Sequence, residues 1–176
     1  GLLLYQTALS GLLGALAVIF LFPEQSVMYR LLMLSGFVVI CDIWLAAIFL
    51  SSMKHYKAIL IVFAIGYGIA VSAALLLRPF GLEGLLGGFV LGQFVLLIGM
   101  ITLILRNYPS SKFISASFFT RKDIYFTMVG TGLFYNLGYW IDKFMFWLHP
   151  ATGAQVIGPL HSSLIYDIPV FMAYLS

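Results

Sequence analysis

The residues best suited to chemistry crowd into one run, Leu133-Phe-Tyr-Asn-Leu-Gly-Tyr-Trp-Ile-Asp-Lys-Phe-Met-Phe-Trp147. Tyr135, Asn136, Tyr139, Trp140, Asp142 and Lys143 fall within it. On a helix, steps of three and four residues put Asn136, Tyr139 or Trp140, and Lys143 on one face. Asp142 follows Tyr135 and Tyr139 on a neighbouring stripe. Aromatic rings beside hydroxyl, amide and charged groups suit a sugar. The rings stack on the apolar faces of a pyranose and the polar tips bond its hydroxyls. The same composition also suits a membrane interface, where Tyr and Trp form a belt and lysine snorkels toward water.

Three further polar residues lie in apolar surroundings. Asp42 sits near the middle of an apolar stretch, between Cys41 and Trp44. An ionised side chain at that depth costs roughly 2.5–3.5 kcal/mol on insertion scales. It fits a polar pathway, a bond to a neighbouring helix, or a protonated and silent carboxyl. Gln93 adjoins Gly84, Gly88 and Gly92, whose spacing of four makes a small-residue stripe for close helix packing. Gln93 is placed to bond across helices. Asp167, in Tyr166-Asp167-Ile168-Pro169, lies near the start of a later apolar segment where Pro169 is tolerable.

Other chemistries are not written here. His55 stands in one gap and His149 and His161, twelve residues apart, in another, with no ligand-like spacing, so no metal is assigned. No phosphate-cradling Gly-Lys-Ser/Thr loop, nucleophile elbow or HExxH motif occurs. No catalytic residue and no cofactor follow from the sequence. The single Cys41 excludes an internal disulfide.

The elements that must position these residues follow from composition. Of 176 residues, 62% are hydrophobic and 9% charged, and mean hydropathy is +1.08. So few charged groups cannot cover a water-soluble domain of that apolar content. The net charge of +3 does not signal nucleic acid, because the basic residues form no dense patch with interleaved exposed aromatics.

Crossing about 30 Å of hydrocarbon takes roughly 20 apolar residues as a helix. Residues 1–22, 27–52, 58–77, 82–105 and 124–148 meet that length, and a sixth segment begins near Leu164 and is cut off. No period-2 alternation supports barrel strands. The expected fold class is an all-α integral membrane protein. Lys54, Lys57, Arg106, Lys112, Arg121 and Lys122 fall in one set of gaps, and Arg30 and Arg78 in or beside the other. The positive-inside rule puts the first set in the cytoplasm. The expected organisation is four spans in 1–105, a basic cytoplasmic linker at 106–123, and a second group at 124–176. The linker mixes Phe113, Ile114, Phe118 and Phe119 with basic residues, which suits either the inner leaflet or a solvated connector. The chain opens and stops inside apolar segments, so it is expected to be an internal piece of a longer protein.

The order of several blocks carries a resemblance. Leu21-Phe-Pro-Glu-Gln-Ser26 leads into Tyr29-Arg-Leu-Leu-Met33. Met53-Lys-His-Tyr-Lys-Ala-Ile-Leu60 and Gly81-Leu-Glu-Gly-Leu-Leu-Gly-Gly-Phe-Val-Leu-Gly-Gln93 follow. Then come Tyr135-Asn-Leu-Gly138, Ile141-Asp-Lys-Phe144, Ile157-Gly-Pro-Leu160 and Ile165-Tyr-Asp-Ile-Pro-Val-Phe-Met-Ala-Tyr-Leu-Ser176. Over essentially its whole length the chain resembles the PelG family, inner-membrane exporters of the Pel exopolysaccharide. That family is similar to the polysaccharide branch of the MOP flippases. The resemblance implies two pseudo-symmetric helical lobes around a cavity. This chain would supply the third to sixth helices, the inter-lobe linker, the seventh helix and the start of the eighth. It draws Tyr135, Asn136, Asp142 and Lys143 toward the cavity. It also implies a hexosamine-rich polysaccharide substrate exported for biofilm matrix, a bacterial inner-membrane location, and a cytoplasmic glycosyltransferase and other membrane subunits as partners. The rivals are a non-transporting scaffold of a synthase complex and a membrane-embedded acyl- or glycosyltransferase.

Overall fold

The computed structural model describes residues 2–52, 54, 56–107 and 126–175. Its contacts divide the chain into two units, Gly1–Ala116 and Ser117–Ser176. In the first unit, helix α1 spans Leu2–Leu21 and α2 spans Val27–Ser52. Helix α3 spans Tyr56–Leu77, and a 3-10 turn at Arg78–Phe80 joins it to α4, Gly81–Asn107. Apart from Arg106, which lies in the last turn of α4, the basic residues expected in the 106–123 linker lie outside the described residues.

The turn between α1 and α2 shows how local sequence sets a helix start. Pro23 cannot continue α1, and Ser26 stands just before α2. The Ser26 hydroxyl accepts the backbone N–H of Tyr29 at 3.0 Å, which satisfies one of the orphan donors of the first turn. The same hydroxyl donates to the Glu83 carboxylate in the first turn of α4. One side chain thus caps one helix and ties it to another. Ser26→Ala is expected to cost about 1 kcal/mol or more, since a lost N-cap alone costs roughly 0.5–2 kcal/mol. A lower thermal midpoint of the detergent-solubilised protein would register it.

Helices α3 and α4 form a tight antiparallel pair. Val62 lies against Gly99, Gly66 against Leu96, Ala70 against Gly92 and Ala74 against Gly88, so numbers rise on one helix as they fall on the other. The expected small-residue stripe on α4 is a packing seam. A side chain at Gly88 would run into the backbone of Ala73 and Ala74, and one at Gly92 into the backbone of Ala70. Between lipid-embedded helices there is little hydrophobic drive, and close backbone approach is what holds them together.

Helix α2 packs alongside α4 in the same direction. A Cβ at Gly36 would stand 3.2 Å from Val90, and Ser26 meets Glu83. The core joins Val39, Ile43, Ala46 and Leu50 of α2 to Leu96, Leu97 and Met100 of α4. Spacings of three and four place each set on one helical stripe. Helix α1 packs antiparallel on α2, with Gly14 against Leu34 and Phe37 and Thr7 bonded to Asp42. The outer faces carry Phe20, Trp44, Leu60 and Leu76, all exposed, a surface suited to hydrocarbon.

The second unit holds α5, Phe126–Leu148, then strands β1, Ala154–Ile157, and β2, Leu160–Ser162, then α6, Leu164–Leu175. The strands pair antiparallel, Ile157 with Leu160 and Gln155 with His161. Gly158, at φ +56°, and Pro159 form the turn, a residue choice that suits a two-residue hairpin with glycine first. Only the turn-forming Pro150, Thr152-Gly153 and Pro159 mark residues 149–163 in the sequence, and no alternation announces the hairpin. Strands of four and three residues are too short to show an alternating pattern.

Three helical runs among the described residues are long and apolar enough to cross a membrane: Leu2–Leu21, Val27–Ser52 and Tyr56–Asn107. The last covers 52 residues and is the folded-back α3–α4 pair. Helix α5 has the length, 23 residues, but stands outside that set. Tyr135, Asn136, Asp142 and Lys143 dilute its apolar content. Helix α6 is a short apolar helix carrying Pro169 inside it.

Candidate functional site

The end of α5 nearest the hairpin is built around Lys143. Its ammonium lies 4.9 Å from the centre of the Trp140 ring and 4.8 Å from that of Trp147. The steps of three and four residues that place these side chains on one face bring the rings to either side of the cation. Tyr139 meets Trp140 edge-on, Trp140 leans on Phe144, and Phe144 meets Trp147 edge-on. The result is a row of aromatic rings along one side of the helix.

Asp167 fastens this row to α6. The Trp147 indole N–H donates to both carboxylate oxygens of Asp167, at 3.1 and 3.2 Å. The backbone N–H of Ser163 donates to the same carboxylate at 2.9 Å. That donor lies just before α6 in a fully buried residue, so Asp167 satisfies a buried helix start as well as the indole. Phe146 stacks on Tyr166 with centroids 5.0 Å apart. Trp147 was not among the residues singled out for chemistry, and its partner lies twenty residues away. Its position one helical turn after Lys143 was the available signal.

A pocket of about 250 Å³ opens beside this row, lined by Phe144, Trp147, Leu148, Pro159, Leu160 and His161. A broader recess of about 680 Å³ runs along the other end of α5, by Thr127, Gly130, Thr131, Phe134 and Tyr135. Asn136 spends an amide donor on its own helix, to the Gly132 carbonyl at 2.9 Å. Asp142 is exposed.

The first unit holds the buried polar pair of candidates. Asp42 is 3% exposed and accepts the Thr7 hydroxyl on Oδ2 at 2.8 Å. Thr7 also faces the Leu3 carbonyl at 2.8 Å. Gln93 is equally buried. Asp42 Oδ1 and Gln93 Nε2 have no hydrogen-bond partner among the described residues, so the two side chains do not satisfy each other and Gln93 makes no cross-helix bond through that nitrogen. The two remaining described histidines serve their own turns. His149 Nδ1 accepts from the Ala151 N–H at 3.2 Å, and His161 Nδ1 lies 2.9 Å from the Pro159 carbonyl.

A family model described as "PelG: Putative exopolysaccharide Exporter (EPS-E)" matches residues 1–176. The chain belongs to the PelG family. No curated protein and no solved structure matches it. As a PelG member with these apolar helices, it is a membrane-embedded, helical protein of a family of exporters. The aromatic row, Lys143 and Asp167 are therefore features of an exopolysaccharide exporter chain.

Proposed function

We propose that this chain forms part of the path by which a hexosamine-rich exopolysaccharide leaves the cytoplasm for the periplasm and the biofilm matrix. The family match over all 176 residues carries this reading. On it, α1 to α5 each cross the bacterial inner membrane and α6 begins a sixth crossing, within a two-lobe bundle of the MOP flippase kind. The linker at 106–123 joins the lobes on the cytoplasmic side. A cytoplasmic glycosyltransferase and other membrane subunits of the export complex are its partners. Tyr135, Asn136, Tyr139, Trp140, Asp142, Lys143 and Asp167 line the path in the second lobe, and Asp42 and Gln93 serve it in the first. Polar and aromatic groups then replace water around the glycan as the lobes exchange access.

The cluster on α5 supports this assignment, because rings held in a row beside a cation and hydroxyls offer repeated stacking to a polymer. Asp142→Asn and Lys143→Ala are each expected to lower secreted polysaccharide several-fold, about 1 kcal/mol of path energy, with membrane protein level unchanged. Secreted polymer and immunoblot, measured together, check it. Unchanged export would remove this helix face from the path. A scaffold subunit would instead tolerate Asp42→Asn and Asp142→Asn combined, with the complex still assembled.

A further inference from the structure

We infer that the pocket between α5 and the β-hairpin is a subsite for one uncharged sugar ring of the exported polymer, with Lys143 selecting against cationic amino sugars. The inference rests on the exporter reading and gives that path a place and a preference.

Size comes first. At about 250 Å³ the pocket falls below the roughly 300–1,000 Å³ that encloses a drug-sized ligand, and suits a single ring. Its walls are flat or apolar, with Phe144 and Trp147 on one side and Pro159 and Leu160 on the other. Rings of that kind stack on the apolar face of a sugar.

The pocket is also held ready. Trp147 cannot turn freely, because its N–H is bonded to Asp167 and Lys143 stands over its ring. Asp167 is fixed in turn by the Ser163 N–H. A site whose rings are already placed loses less freedom on binding.

The polar groups define what ring would fit. The Pro159 carbonyl can only accept, so His161 Nδ1, 2.9 Å away, carries the donor hydrogen. In the neutral imidazole that makes Nε2 an acceptor, suited to a hydroxyl or an amide N–H of the sugar. The Asp167 carboxylate, bonded to Trp147 of the pocket wall, is already committed to two N–H donors. The Lys143 ammonium stands 4.8 Å from the centre of the Trp147 ring that lines the pocket. Asp142, next in the chain to Lys143, is not among the residues lining the pocket, so an ammonium sugar stacked on Trp147 would meet a like charge, whereas an acetamido sugar carries no such penalty.

The test uses the full-length protein in lipid nanodiscs and two trisaccharides, tri-N-acetylchitotriose and its fully de-N-acetylated, cationic counterpart. Calorimetric titration is expected to show binding of the acetylated trimer, and binding of the amine trimer weaker by about fivefold or more. Leu160→Trp, which fills the pocket from the exposed hairpin, should weaken the acetylated trimer by about tenfold or more. Lys143→Glu should narrow or reverse the preference between the trimers, which a loss of folding would not do. Failure of the acetylated trimer to bind, wild-type binding in Leu160→Trp, or a preference untouched by Lys143→Glu would each overturn the subsite. Export in cells separates this from the parent reading. Polymer secretion that persists without the protein would sink the exporter role. Secretion that needs the protein, with trimer binding indifferent to Leu160→Trp, would sink the subsite alone.

Discussion

Gly88→Leu is expected to abolish folded protein in the membrane. A side chain there would occupy space already held by the backbone of Ala73 and Ala74. A flexible neighbour could swing aside, but a helix backbone cannot without moving the whole helix. Overpacking against side chains costs about 1–3 kcal/mol, and displacing α3 puts this substitution at or above the top of that range. Gly92→Leu meets Ala70 in the same way. Gly68→Ala is the control: it faces open space and gains about 0.5–1 kcal/mol of helix preference. The readouts are membrane-inserted protein and its resistance to protease. Wild-type yield and protease resistance for Gly88→Leu would mean that the seam does not hold α3 to α4.

Asp42→Lys is expected to be equally damaging, whereas Asp42→Leu is expected to fold. The difference lies in Thr7. Its hydroxyl has one hydrogen and two acceptors in reach, Asp42 and the Leu3 carbonyl, each at 2.8 Å. Removing the carboxylate lets Thr7 bond fully to its own helix, so leucine orphans no donor. Lysine instead places a cation where only 3% of the residue is exposed, at a cost of roughly 2.5–3.5 kcal/mol on insertion scales. Protein levels in isolated membranes should therefore separate the two variants. Export should then fall about tenfold in Asp42→Leu despite normal accumulation. Full export in that variant would assign Asp42 no part in the path, and normal accumulation of Asp42→Lys would contradict its burial.

The helices were legible because their apolar runs end at strong signals. Residues 27–52 emerge with the expected bounds, after the Ser26 cap. The others shift by at most two residues at either end, as helix ends do. The role of Gly84, Gly88 and Gly92 was legible too, since a spacing of four in an apolar helix has a simple geometric meaning. What escaped notice depends on partners far apart in the chain. Nothing near Asp42 points to Thr7, thirty-five residues earlier, and nothing near Trp147 points to Asp167. Asn136 bonds the carbonyl one turn back on its own helix, a contact that its residue type does not announce. The β-hairpin was hidden because so few residues in it alternate.

The three-residue connection between α3 and α4 bears on how the protein is made. Leu77 and Gly84 are already in contact across it, so little slack separates the two rods. During synthesis, neither has a loop long enough to let it settle alone. Tyr56–Asn107 is therefore expected to enter the membrane as a helical hairpin, both rods together. Arg78 and Glu83, near its tip, would then cross together with it.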